Sequence, residues 1–199
     1  MMTSEQLDMF GEPEPPPKPT DRIFFAIMPD AGAIADIRAL TTDLKAQHGM
    51  RGRPIAEAKL HASSYVLGDF PVFPAARVEQ AQRAAALVAA ATPAFVACFD
   101  RVQTFISRRR DRPFVLVGSD GVIGVSALYK NLMTALVKAG LPPNPGSFTP
   151  HITLLYDEVT VAPQGVAPIE WTVRELVLLH SHIDQGKPYK VLHRWPLQT

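Results

Sequence analysis

A single cysteine, Cys98, among 199 residues excludes an intramolecular disulfide and suits a reducing compartment. Its neighbours in AFVACF are apolar and supply no cation to activate it, so it reads as an inert buried thiol. No apolar run approaches the roughly 18 residues of a membrane span. The N-terminus also lacks a basic segment followed by an apolar one, so a cytoplasmic monomer away from membranes is expected. Charge of either sign is scarce in the sum: 20 Lys and Arg against 19 Asp and Glu leave +1, and any attraction to nucleic acid must be local.

What is present is a hydrophobic fraction of 47%, enough for one large core or two small lobes. Proline is plentiful and is densest near the front. GEPEPPPKPT favours extended conformers with little to bury, so residues 1–20 read as a disordered leader and 21–199 as the folded domain. Within it RIFFAIM (22–28) is a strand, followed by a helix with Ile34, Ile37, Leu40 and Leu44 on one face and Gly49 just past its end. Strand KLHASSYVLGDF (59–70) precedes an alanine-rich helix over 74–91. Strands at 94–106 and 113–118 flank SRRRDR, a third helix spans 122–139 with Leu128, Leu132 and Leu136 inward, and strands follow at 147–157, 171–182 and 189–197. Seven strands too closely spaced for helical crossovers throughout predict an α+β fold with antiparallel sheet.

Two strands share a pattern. SFTPHITLLYD places His151 and Thr153 two apart on one strand face, and KLHASSYVLG does the same with His61 and Ser63. Each pair follows a helix and a loop, as though one supersecondary unit were used twice about a pseudo-twofold axis. Two imidazoles can divide labour near neutral pH, one accepting a proton and the other donating one. The hydroxyls would donate to nonbridging phosphate oxygens as charge builds there. Strand parity puts Tyr156 on the face opposite His151.

HAS at 61–63 and PHITL at 150–154 resemble the paired histidine–x–hydroxyl signatures of the 2H phosphoesterase superfamily, in its bacterial 2'-5' RNA ligase-like or RNA 2',3'-cyclic phosphodiesterase branch. The opening RIFFAI and closing GKPYKVLHRWPL are similar to that branch too, so the likeness covers about residues 21 to 197. It implies two pseudo-symmetric lobes with antiparallel sheets facing a central cleft, helices outside. It also implies hydrolysis of an RNA 2',3'-cyclic phosphate end, or a related cyclic nucleotide, to a 2'-phosphomonoester. His61 and His151 would then be catalytic, Ser63 and Thr153 phosphate-binding, with no cofactor or metal, and 2'-5' joining of RNA ends is the same chemistry with a hydroxyl nucleophile. The branch's first motif usually carries threonine where this chain has Ser63, and its second motif is often followed by an arginine about where this chain has Tyr156.

Other features carry two readings each. Arg108, Arg109 and Arg110 in SRRRDR suit an RNA backbone or an ordinary solvated turn. Phe105, Phe148 and Tyr65 would stack on a base or pack in the core. HSH at 180–182 could chelate a metal, but it is read instead as a solvent-exposed strand end. His48 and His193 carry no local signal. Finally, QLDMF at 6–10 resembles the pentapeptide that binds the bacterial sliding clamp: Gln6 would supply hydrogen bonds while Leu7, Met9 and Phe10 fill apolar pockets. On that basis the alternative to an enzyme is a non-catalytic RNA-binding or clamp-recruited adaptor on the same fold.

Overall fold

The apolar run DRIFFAI forms strand β1 (Asp21–Ile27), and its side chains divide between two faces of a sheet. Helix α1 (Ala31–Gln47) follows, capped by Asp30, whose Oδ1 accepts from the backbone N–H of Ala33 at 2.9 Å. It ends where Gly49 adopts a φ of +63°. Strand β2 (Ala62–Phe70) leads into α2 (Ala75–Ala90), and a hairpin of β3 (Phe95–Thr104) and β4 (Arg112–Val117) precedes α3 (Ile123–Lys138). Leu128, Leu132 and Leu136 line the buried face of α3 as their four-residue spacing requires. Strands β5 (His151–Asp157), β6 (Gln164–Val173), β7 (Glu175–His182) and β8 (Lys190–Pro196) complete the chain. This computed structural model describes residues 17–107, 110–144, 146–183 and 186–199. The proposed leader's first 16 residues, with Gln6, Leu7, Met9 and Phe10, lie outside them, as do Arg108 and Arg109.

The eight strands form one antiparallel sheet in the order β6-β3-β4-β5-β2-β1-β7-β8. The α+β class and the two-part sheet agree with the sequence reading. Among the described residues, its halves meet at a single register pair, Ala62 with Ile152, between β2 and β5. All three helices join the same large core on one face, where Ile23, Phe25 and Ile27 also point. The other face carries a small separate cluster of Phe24, Ala26, Val177 and Leu179, with Met28 and Tyr189 against it.

One strand more is present than the sequence suggests. The run WTVRELVLLHSH reads as a single strand, yet its first residues finish β6 and the rest is β7 in the other half of the sheet. The missed start of β6 contains Gly165 and Pro168, which resemble loop; Pro168 is tolerated because β6 is an edge strand. Only Arg174 separates β6 from β7, so the sheet curls until its β6 edge approaches the opposite half. The Leu197 N–H donating to the Arg174 carbonyl (2.8 Å) and the Ala94 N–H to the Gln198 carbonyl (2.8 Å) hold that junction.

At the midline β2 and β5 splay apart after their one shared pair, and each free edge is covered by the loop that precedes the other strand. Ile55 N donates to Leu154 O (2.8 Å), while Arg51 N and Gly52 N both donate to Oδ2 of buried Asp157 (2.7 and 2.6 Å). On the other side Asn144, its amide turned to match, donates to Val66 O (2.8 Å) and accepts from Val66 N (3.1 Å), and the Tyr65 hydroxyl donates to Pro142 O. Exchanging loops in this reciprocal way satisfies strand groups that would otherwise be orphaned.

Candidate active site

His61 immediately precedes β2 and His151 opens β5, so the two rings sit beside the Ala62–Ile152 pair. Extending that antiparallel register by one residue each way sets His61 opposite Thr153 and Ser63 opposite His151. The backbone treats the two histidines alike. Nδ1 of His61 donates to the carbonyl of Lys59 (2.7 Å), and Nδ1 of His151 donates to that of Thr149 (2.8 Å), in each case two residues earlier. Committing Nδ1–H to a carbonyl leaves Nε2 as the nitrogen available to a reactant. Ser63 Oγ donates to Nε2 of His61 at 2.9 Å.

The environments differ more than the backbones do. Burial pushes the His61 pKa below its ordinary value, against the Lys59 carbonyl, which raises it, and with help from the nearby charge of His151. Phe24 and Tyr189 enclose the ring, with centroids 5.0 and 5.4 Å from it. On the other side His151 touches Phe105, 5.0 Å away edge-to-face.

Both strands carry a β-bulge directly after the hydroxyl residue. In β2 the register with β1 shifts between Ser63 and Tyr65, and in β5 the register with β4 shifts between Thr153 and Leu155. The extra residue reverses parity beyond it. Tyr156, assigned by simple alternation to the face away from His151, is therefore returned to the His151 face, while Leu154 and Leu155 are both buried. Arg22 is held by Asp69 through a fork of two hydrogen bonds, 2.6 and 2.7 Å.

The remaining expectations sort clearly. Arg110 lies in the β3–β4 hairpin and pairs with Glu158 at 2.6 Å. Phe105 borders the site, but Tyr65 is core and Phe148 stacks on Tyr129 of α3 at 3.8 Å. Cys98 is only partly buried, with its thiol pKa pushed up chiefly by burial. His48 bonds Gln164, and His193 packs on Trp195. The HSH segment is not a solvated strand end: His180 is buried, and its Nε2 bonds Oδ1 of Asp21 from β1, far away in sequence, at 2.5 Å. Tyr189, Phe24 and Tyr156 are the site neighbours that sequence reasoning left unassigned. Tyr189 was within reach, since it lies in the closing segment that carries the family likeness.

An antiparallel sheet divided into two halves, each offering a histidine–x–hydroxyl strand at the midline, is the architecture of the two-histidine phosphoesterases. The chain belongs to the 2'-5' RNA ligase superfamily, whose family model matches residues 68–185. That span contains His151 and Thr153 and begins just after His61 and Ser63. A crystal structure described as a phosphoesterase is 28% identical over 92% of this chain and all of its own, with a TM-score of 0.70. E. coli LigT, crystallised with 3'-AMP, is also 28% identical over 92% of this chain and 100% of that one, at a TM-score of 0.69. TT0787 of Thermus thermophilus shares the fold at a TM-score of 0.72 and 21% identity, covering 89% of this chain and 98% of its own. No curated protein matches the chain. Membership makes it an enzyme of the phosphoesterase type, and no described helix is long and apolar enough to cross a membrane.

Proposed function

We propose that the protein hydrolyses 2',3'-cyclic phosphate at RNA ends, or on a related small nucleotide, to the 2'-phosphomonoester. One Nε2 takes a proton from water as its oxygen bonds to phosphorus. The other Nε2, protonated, gives its proton to O3' as the P–O3' bond breaks. Ser63 and Thr153 donate to the nonbridging oxygens, where charge grows. With a ribose hydroxyl as nucleophile the same groups would join RNA ends through a 2'-5' linkage. Both proton transfers are supplied by side chains, so the reaction needs no metal.

The observation that carries this reading is the matched pair of histidines, each with Nδ1 tied to the carbonyl two residues back, which leaves Nε2 for proton transfer once the Ser63 hydroxyl on that of His61 turns to the phosphate. Nucleotide ligands fit it: LigT has been crystallised with 3'-AMP, ATP and NADP+. Arg110, with Arg108 and Arg109, is the proposed contact for a longer RNA backbone.

The test is incubation of the untagged chain, in excess EDTA, with an RNA ending in 2',3'-cyclic phosphate and with the corresponding mononucleotide. Accumulation of 2'-phosphate on either is expected. Absence of product on both defeats the reading. Recruitment to a sliding clamp by Gln6, Leu7, Met9 and Phe10 is a separate proposal resting on QLDMF alone. A synthetic 1–20 peptide should bind the clamp and lose binding on Phe10→Ala; equal binding by the variant removes it.

A further inference from the structure

Asp21, His180 and His182 converge from two adjacent strands on the helix-covered face of the sheet, away from the cleft. Asp21 opens β1 and lies directly across from His182 in the antiparallel register with β7, and His180 is two residues back on the same face. Both imidazoles address a single carboxylate oxygen: Oδ1 of Asp21 is 2.5 Å from Nε2 of His180 and 3.5 Å from Nδ1 of His182. All three ligating atoms lie within 4.8 Å of one another, and the two rings are 4.3 Å apart. The second carboxylate oxygen is taken by the Thr20 hydroxyl at 2.6 Å, which fixes Oδ1 toward the histidines.

We propose that this cluster binds a borderline divalent cation of the zinc type, through Asp21 Oδ1, His180 Nε2 and His182 Nδ1. Nitrogen and carboxylate oxygen are the donors such ions take, at about 2.0–2.2 Å, so ligands around a tetrahedral ion stand about 3.4 Å apart. The Asp21–His182 separation already meets that spacing. The Asp21–His180 contact, a hydrogen bond without the ion, has to open by about 1 Å as the cation replaces the shared proton. Asp21 and His180 are almost inaccessible, whereas the His182 side chain is 36% exposed and gives the ion its way in, with water as fourth ligand. Phe73, 5.4 Å from His180, supplies a dry wall ahead of α2. The ion would pin the first residue of β1 to the last of β7, a structural rather than catalytic role, since the cleft histidines stand on the other face.

The untagged full chain, stripped with EDTA and then dialysed free of it, is titrated with Co2+ followed by visible absorption and with Zn2+ followed by calorimetry and thermal melting. One equivalent is expected to bind, with a tetrahedral cobalt spectrum and a raised melting temperature. His182→Ala, at a half-exposed position, should keep its fold and bind roughly a hundredfold more weakly. A His61→Ala/His151→Ala double variant should bind as the wild type does. No saturable binding, binding unaltered in His182→Ala, or binding lost in the cleft double variant would each overturn the proposal.

Discussion

Ala62 faces Ile152 across the midline of the sheet, and this pairing brings His61 and His151 into one site although ninety residues separate them in sequence. Just beyond each hydroxyl residue a bulge shifts the strand's register with its outer neighbour. A reaction shared between the two strands should fail when either contribution is removed.

His61→Ala and His151→Ala are each expected to lower kcat on a 2',3'-cyclic nucleotide by about a thousandfold, the usual scale for losing a proton-transfer group. Ser63→Ala and Thr153→Val should cost about a hundredfold, and Ser63→Thr should restore most of it, since the donor is kept. Steady-state kinetics with circular dichroism on each variant checks this. Wild-type turnover in either histidine variant would dismiss the two-histidine mechanism.

Tyr156 stands 49% exposed on the His151 face, free to stack on a base. Tyr156→Ala should raise KM several-fold, within the roughly 1–3 kcal/mol that stacking is worth, while leaving kcat nearly unchanged; Tyr156→Phe should behave as wild type. A fall in kcat without a change in KM would place the residue elsewhere in the mechanism.

Followed by NMR, the His61 ring should titrate below an ordinary histidine, and His151→Ala should move it back up by deleting a neighbouring positive charge. Because the folded pKa is the lower one, the unfolded chain binds this proton more readily. Stability from this group is complete above the ordinary value and is lost as pH falls through the folded value. Urea unfolding between those limits should show a smaller acid loss in His61→Asn than in the wild type.

Gly52 is where the loop before β2 presses on the end of β5. A Cβ there would collide with the Tyr156 carbonyl oxygen and stand 3.1 Å from Asp157 Oδ2, so Gly52→Ala must push the strand aside. A loss of about 1–3 kcal/mol in chemical denaturation is expected, together with a raised KM, since Tyr156 moves with its backbone. Unchanged stability would mean the loop yields instead of the strand.

The histidine strands were legible because a two-residue period survives any tertiary arrangement, and so were the helices, whose apolar spacing is local. What escaped was decided across the sheet. The bulges that redirect Tyr156 depend on register with β1 and β4, which no local alternation encodes. Asp21 meets His180 only because β1 lies beside β7. The division of WTVRELVLLHSH between two half-sheets leaves no mark, since both parts are apolar strand and Arg174 is an ordinary residue between them.

The strand order also fixes a timetable. The half of the sheet built from β3, β4, β5 and β6 is continuous in the chain, running from Phe95 to Val173. The half that holds His61 begins with β1 and β2 but is finished by β7 and β8, from Glu175 onward. On the ribosome the His151 half can therefore assemble as it emerges, while β1 waits with one edge open until β7, from Glu175 onward, has been made. Loss of residues 175–199 would leave the later motif with its strands intact and the earlier one without its outer support.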